Sequence, residues 1–239
     1  MATHYIAFDG NDYVIIPYAS NQDISNTLTI EAWIYISSYQ DYAPVMTKGN
    51  FSGYGESAPF SLMQSYNGPM RLVYNWNGTN SGQLVTSGTI SLNTWTHIAG
   101  VIDGSNIYLY INGSLDNSGS MPGSFSFEQN NEDLVIGVDK PGNSEYWRGR
   151  IDEIRLWNVA RSADDISNSM YGLTNTGTSG LIGYWKFNSG AGSSLIDVTS
   201  NSNTGTITGG TWGNNTSQYN DVTISGNSGF RLLSTPVSG

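Results

Sequence analysis

Residues 28–36, Leu-Thr-Ile-Glu-Ala-Trp-Ile-Tyr-Ile, alternate strictly between two kinds of side chain. Side chains two apart on an extended chain share a face, so Leu28, Ile30, Ala32, Ile34 and Ile36 form one face and Thr29, Glu31, Trp33 and Tyr35 the other. The first face reads as core. The second is aromatic and carries a carboxylate, so it is not plain solvent surface. The pattern returns at Ile107, Leu109 and Ile111 against Tyr108 and Tyr110, and at Leu72, Tyr74 and Trp76 against Val73 and Asn75. Asp103-Gly104 separates the runs 97–102 and 106–111, and Asn112-Gly113 follows directly; both dipeptides accept φ > 0 cheaply and mark tight turns. A further strand is expected over Leu181–Phe187 and a weaker one near Thr204–Trp212. Short strands punctuated this closely predict an all-β protein of two packed antiparallel sheets, with Ile30, Ile34, Leu109, Ile154 and Leu156 in a shared core.

One segment reads as helix. Ser162 offers an N-cap hydroxyl, Asp164 and Asp165 supply acids to the first turn, and the run to about Tyr171 predicts a short surface helix. After Trp212 the stretch Gly-Asn-Asn-Thr-Ser marks the end of the domain. We therefore expect one domain over 1–215 and a linker or the start of a following module over 216–239. The N-terminal Met-Ala-Thr-His has neither the basic nor the apolar region of a signal peptide, and Met1 reads as the start of a fragment. No apolar run approaches the 18 residues that a membrane-spanning helix needs, so no membrane insertion is expected.

Charge narrows the partners. Nine Lys and Arg face 19 Asp and Glu, a net charge of −10, which repels phosphate backbones and anionic lipid and excludes nucleic acid as a partner. Charged residues make up only 12% of the chain, so its polar surface is built from Ser, Thr, Asn and Gly, as in many extracellular β-proteins. With no cysteine there is no disulfide, thiolate metal site or Cys nucleophile. The oxygen-rich remainder suits calcium rather than zinc as a stabilising ion.

The motifs FDGNDYV (8–14), LTIEAWI (28–34), WTHIAGVIDGSNIYLYING (95–113), LVIGVD (134–139), WRGRIDEIRLWN (147–158), RSADDI (161–166) and LIGYWKFNSGAGSSLIDVTSNSNTGTITGGTW (181–212) together resemble a laminin-G-like domain. More closely, they resemble the branch related to pentraxins within the concanavalin A-like lectin/glucanase superfamily. The resemblance implies a jelly-roll sandwich over about 6–212. It does not by itself fix a function, because functions are grafted onto this fold. The tail 225–239 is similar to a short segment that follows such modules in large secreted proteins of the Bacteroidota, which suggests a fragment; a secreted or cell-surface location as part of a larger protein is the expectation.

The superfamily includes glucanases, so catalysis is the first question. A retaining glycosidase needs two carboxyl groups about 5–5.5 Å apart, and the jelly-roll glucanases place them as Glu-x-Asp on one strand. None of the 19 acids is followed two positions later by another, and the adjacent Asp152 and Glu153 point to opposite faces of a regular strand. The two histidines, His4 and His97, suggest no triad. The chain is read as noncatalytic.

For calcium, Asp9-Gly-Asn-Asp12 combines two carboxylates with a turn-forming Gly, and Asp152 follows Gly149. In the family's sandwich these strands approach each other, so Asp9, Asp12 and Asp152 are the expected ligands. The alternative is that Asp9-Gly10 is only a turn and that Asp152 pairs with Arg150 or caps a backbone group. The loop 139–146 is shorter than the pentraxin calcium loop and contains a Lys, which argues against a pentraxin-type double site.

For a ligand, sugars offer CH faces to aromatic rings and hydroxyls to amides and carboxylates. Tyr74, Trp76 and Asn77, with Asp139, Asn143 and Tyr146 of the 139–147 loop, have that composition and are the expected glycan contacts. Trp33, Trp95, Trp157 and Trp185 are assigned to packing, and Glu31 to an ion pair with Arg155. The function expected is a calcium-stabilised, lectin-like module that binds a glycan or polysaccharide. The alternative is adhesion to an extracellular protein without a sugar site.

Overall fold

The computed structural model describes residues 4–49, 58–76, 80–123, 125–142, 144–173 and 175–214, and of Trp76 and Asn80 the backbone alone. In chain order the strands begin with β1 (His4–Asp9), β2 (Tyr13–Ile16), β3 (Leu28–Ile36), β4 (Pro44–Lys48), β5 (Phe60–Gln64) and β6 (Met70–Trp76). Then come β7 (Asn80–Val85), β8 (Trp95–Ile102), β9 (Asn106–Ile111), β10 (Ser114–Ser120), β11 (Leu134–Ile136) and β12 (Arg148–Trp157). One α-helix, α1 (Ala163–Ser169), precedes β13 (Leu181–Trp185), β14 (Ser194–Leu195), β15 (Gly205–Thr208) and β16 (Thr211–Asn214). The domain end expected at 216–239 lies outside the described residues.

The strands form two antiparallel sheets. The first runs β10-β9-β8-β3-β12-β1-β16, with β13 also on β12; the second runs β14-β15-β2-β11-β4-β5-β6-β7. The apolar face of β3 is buried between them, as its alternation requires, and Ile30, Ile34, Leu109, Ile154 and Leu156 all lie in the shared core. From the second sheet Val14, Ile16, Leu62, Leu72, Leu134 and Ile136 meet them. Trp147 and Trp185 are fully buried in the same cluster. α1 begins at Ser162, whose hydroxyl accepts from the Asp165 N–H while the Asp165 carboxylate accepts from the Ser162 N–H, a reciprocal capping box. Its buried Ile166 packs on Ala99, Val101 and Tyr110, on the outer face of the first sheet.

On the outer face of the second sheet, residues in register form one row: Gln83, Val73, Ser61, Thr47, Val135, Ile15 and Thr206. Gln83 and Thr206 are exposed, but Val73, Ser61, Thr47 and Val135 between them are buried. This face is therefore closed at its middle and open towards its ends.

Candidate functional site

At one end of the second sheet the start of β6, the end of β5 and the loop after β11 come together. Arg71, on β6, is 8% exposed. Its Nη1 donates to Gln83 Oε1 at 2.9 Å, its Nη2 lies 3.1 Å from Met63 Sδ, and its guanidinium carbon sits 4.4 Å from the centre of the Tyr42 ring. Arg71 Nε has no hydrogen-bond partner among the described residues. Tyr42 occupies a left-handed backbone conformation, φ 67°, which a bulky residue adopts only when its surroundings impose it. Those surroundings are supplied by Gln64: its carbonyl accepts from the Tyr42 N–H, and its side-chain Oε1 accepts from the Gln40 N–H. Tyr66 stands edge-on to Tyr42 with ring centres 5.2 Å apart, and it is 59% exposed. An arginine fork is thus held rigid beneath a solvent-facing tyrosine pair.

The facing wall is the loop 138–146. It is closed at its base by a bridge between Val138 and Tyr146, and across it the Tyr146 hydroxyl accepts from the Gly142 N–H at 2.9 Å. Asp139 is buried and Glu145 is partly so, and their carboxyl groups lie close enough to interact. Loss of water and the neighbouring Asp139 charge push the Glu145 carboxyl above its usual range, and Arg71 only partly offsets this. Burial likewise pulls Arg71 below the usual guanidinium range, while the Glu145 charge opposes that shift.

The structure divides the residues expected to bind a glycan. Asp139 and Tyr146 belong to this wall. Tyr74 does not: it is 6% exposed and packs in the core, edge-on to Phe125 at 5.4 Å. Trp76 ends β6, five residues along the strand from Arg71, or roughly 17 Å at about 3.4 Å per residue. Asn77 and Asn143, and the Trp76 side chain, lie outside the described residues. The two halves of the expected rim are therefore at opposite ends of one strand.

The expected calcium ligands do not fit an ion. No group of three or more His, Asp or Glu side chains among the described residues is placed to hold one. Asp12 is buried, and its carboxylate accepts from the Asp9 N–H at 2.7 Å. Asp9 is exposed, and its carbonyl accepts from Arg148 Nη1 at 2.8 Å. It pairs in register with Arg148, four residues along β12 from Asp152, which is roughly 13 Å. Asp152 Oδ1 accepts from the Glu153 N–H at 2.8 Å.

That last contact belongs to a bulge that the sequence does not announce. The β12–β3 register shifts between Asp152 and Arg155, and Glu153 takes φ 54°. The adjacent acids consequently lie on the same outer face rather than on opposite ones. Glu153 Oε2 accepts from Arg155 Nη2 at 2.9 Å and from the Tyr184 hydroxyl. Beside them the fully buried Glu31 is held as expected. Its Oε2 is 3.5 Å from Arg155 Nη1, and its Oε1 accepts from Trp157 Nε1 at 2.9 Å and Arg161 Nη1 at 3.1 Å. Burial raises the Glu31 carboxyl, but His97, whose Nε2 is 3.5 Å from Glu31 Oε2, together with Arg155 and Arg161 outweighs that and brings it down to about 2. These groups are buried together and sealed from solvent, which makes this network structural; Glu31 Oε2 and Arg155 Nε have no hydrogen-bond partner among the described residues.

A sequence profile of the concanavalin A-like lectin/glucanases superfamily, its Laminin_G_3 family, matches residues 8–167. The chain belongs to this superfamily. Its fold is similar to that of a candidate carbohydrate-binding protein from Bacteroides ovatus, with TM-score 0.71 and 21% identity over 89% of this chain. The chain spans 60% of that protein's length. It also resembles domain 4 of AbnA, a GH43 extracellular arabinanase from Geobacillus stearothermophilus, solved in complex with arabinotriose: TM-score 0.54, 20% identity, 68% of this chain and 74% of that one. A pentraxin from Limulus polyphemus gives TM-score 0.52 and 17% identity over 72% of this chain and 85% of that one. At these identities the likeness shows the fold. No curated protein matches the chain in sequence.

Sequence reasoning missed Arg71, Tyr42, Tyr66, Gln83 and Glu145. Tyr66 carries a faint signal, a Tyr-Asn-Gly turn between two apolar runs. The Asp139–Glu145 pair carries none, because the two are brought together by a loop closure and not by strand spacing.

Proposed function

We propose that this domain is a noncatalytic carbohydrate-binding module that takes a sugar ring at the end of the second sheet, between Tyr66, Arg71, Gln83 and the Glu145 wall. The observation that carries the reading is the exposed Tyr66 ring beside Arg71, whose guanidinium is fixed by Tyr42, Gln83 and Met63 and lies next to the Asp139 and Glu145 carboxyls. A pyranose or furanose presents an apolar CH face to Tyr66 and hydroxyls to the guanidinium, the amide and the carboxyls. Such a site binds and orients without bond cleavage. Retaining hydrolysis needs two carboxyl groups about 5–5.5 Å apart, which the jelly-roll glucanases place as Glu-x-Asp on one strand, and no such pair occurs in the chain.

The superfamily and the two fold likenesses whose names carry carbohydrates support this reading, and arabinotriose is the first probe to try. Calorimetric titration of a glycan panel tests it. Tyr66→Ala, at an exposed position, should keep the melting temperature and weaken binding by about 1–3 kcal/mol. Unchanged affinity would remove Tyr66 from the site.

Secretion or surface display as part of a larger protein is proposed from the uncharged polar composition and the resemblance of the tail 225–239. Calcium stabilisation is likewise proposed from composition, with no ligand set assigned to it. Saturation at 100 times the dissociation constant adds about 2.7 kcal/mol, and identical melting curves in calcium and in chelator would remove the idea.

A further inference from the structure

The opposite sheet carries a second arrangement with a different chemistry. Arg150, Tyr35 and Trp95 lie in one row across β12, β3 and β8, and Tyr5 stands on β1, on the other side of β12. The Arg150 guanidinium carbon is 4.6 Å from the Tyr5 ring centre and 4.4 Å from that of Tyr35, so the cation is held between two rings. Trp95 closes the group edge-on, 5.9 Å from Tyr5 and 5.8 Å from Tyr35. All four side chains are partly open to solvent.

Two glycines make the cluster possible. At Gly149, φ +144°, a Cβ would lie 1.9 Å from the Tyr35 carbonyl oxygen, so only glycine lets β12 approach β3 this closely one residue before Arg150. At Gly213 a Cβ would lie 2.4 Å from the Tyr5 ring, which rests on the bare backbone of β16.

Arg150 has no ion pair or hydrogen bond among the described residues. Asp152, the next residue on this face, is buried and accepts from the Glu153 N–H instead of pairing with it. In a chain of net charge −10 with nine basic residues, a cation fixed in place and left unpaired is a conspicuous use of positive charge. Contacts through ring faces leave the in-plane N–H fork of a guanidinium free, and that fork matches an oxyanion edge in bidentate fashion.

We propose that the Tyr5–Tyr35–Trp95–Arg150 cluster is a second binding site, for a single anionic group on an otherwise neutral sugar chain: a uronic acid carboxylate or a sulfate ester. The fork takes the oxyanion, and the indole edge and tyrosines pack on the ring that bears it. The net charge opposes an extended polyanion, so one acidic unit is the fit. This site lies on the other sheet from Arg71 and does not depend on the reading given for that one.

The test is calorimetric titration of the intact chain with xylotriose bearing one glucuronate, the methyl ester of that glucuronate, xylotriose, and xylotriose monosulfate. The charged sugar should bind about 10- to 100-fold more tightly than the ester, the range of a charge-assisted hydrogen bond. Preference for the carboxylate or for the sulfate identifies the source. Arg150→Gln should abolish the preference at an unchanged melting temperature, and Tyr66→Ala should leave it intact. Equal binding of ester and acid by the wild-type chain overturns the proposal without reference to any variant. So does a preference that survives Arg150→Gln, or one lost in Tyr66→Ala.

Discussion

Replacing Glu31 by Gln removes one charge from the sealed network on the first sheet while keeping the side chain's shape. Glu31, His97 and Arg155 are each 0% exposed, so the charge that remains on Arg155 is relieved by Glu153 alone. A carboxyl held from its usual 4.5 down to about 2 contributes about 3 kcal/mol to folding at neutral pH. That agrees with the 3–5 kcal/mol typically lost when one partner of a buried ion pair is removed. For a domain of this size each kcal/mol moves the melting temperature by about 2–4 °C, so Glu31→Gln should lower it by about 6–12 °C at pH 7. The sign of the pH dependence follows from a depressed folded-state pKa. The contribution is complete above about pH 4.5 and is lost as pH falls towards 2, so the gap between wild type and variant should close over that range. The assay is thermal melting of both proteins from pH 7 to pH 2, read as the difference, which cancels acids common to both. Equal melting at pH 7 would refute the reasoning, as would a gap that does not change with pH.

Two further outcomes follow from the geometry. Glu145→Gln replaces a carboxyl whose pKa is raised, a group that favours the folded state at low pH and loses that advantage as pH rises through its folded value. The variant should therefore be no less stable than wild type at pH 8 in a denaturant titration, and a clear loss there would show that the ionised carboxylate is needed. Gly149→Ala forces a Cβ into the Tyr35 carbonyl, so it should destabilise by several kcal/mol or prevent folding, and near-normal melting would contradict the close approach of β12 to β3.

How much of this was legible in the sequence depended on whether a side chain's role could be read from spacing. β3 and β9 announced themselves because each has one apolar face and one polar or aromatic face. β4 and β5 did not, because Pro44–Lys48 and Phe60–Gln64 are buried on both faces and show no alternation. β10, Ser-Leu-Asp-Asn-Ser-Gly-Ser, is an edge strand whose polar run looks like a loop. The helix was readable from Ser162 because a capping box is local. The Glu31–Arg155 pair was inferable from the cost of a lone buried charge, although Arg161 and Trp157 as its other partners were not. The candidate site fared worse for a physical reason. Arg71, Tyr42 and Glu145 come from a strand, a strained loop and a closed loop, and their meeting depends on chain paths that no period records. Trp95 was assigned to packing because a tryptophan opening a strand usually packs; its partly exposed place edge-on to Tyr5 and Tyr35 depends on partners from other strands that no spacing records.

The central claim is that a sugar is held by Arg71 beneath Tyr66. The most direct measurement is the nitrogen–proton resonance of the arginine Nε groups during titration with arabinotriose and the other sugars of a glycan panel, for the wild-type chain and for Tyr66→Ala. The account predicts saturable binding of at least one neutral sugar, with the Arg71 Nε–H signal shifted as the sugar packs beside its guanidinium, and with binding and shift both weakened in Tyr66→Ala. Absence of binding across the panel would contradict the account, and so would binding that leaves the Arg71 resonance where it was.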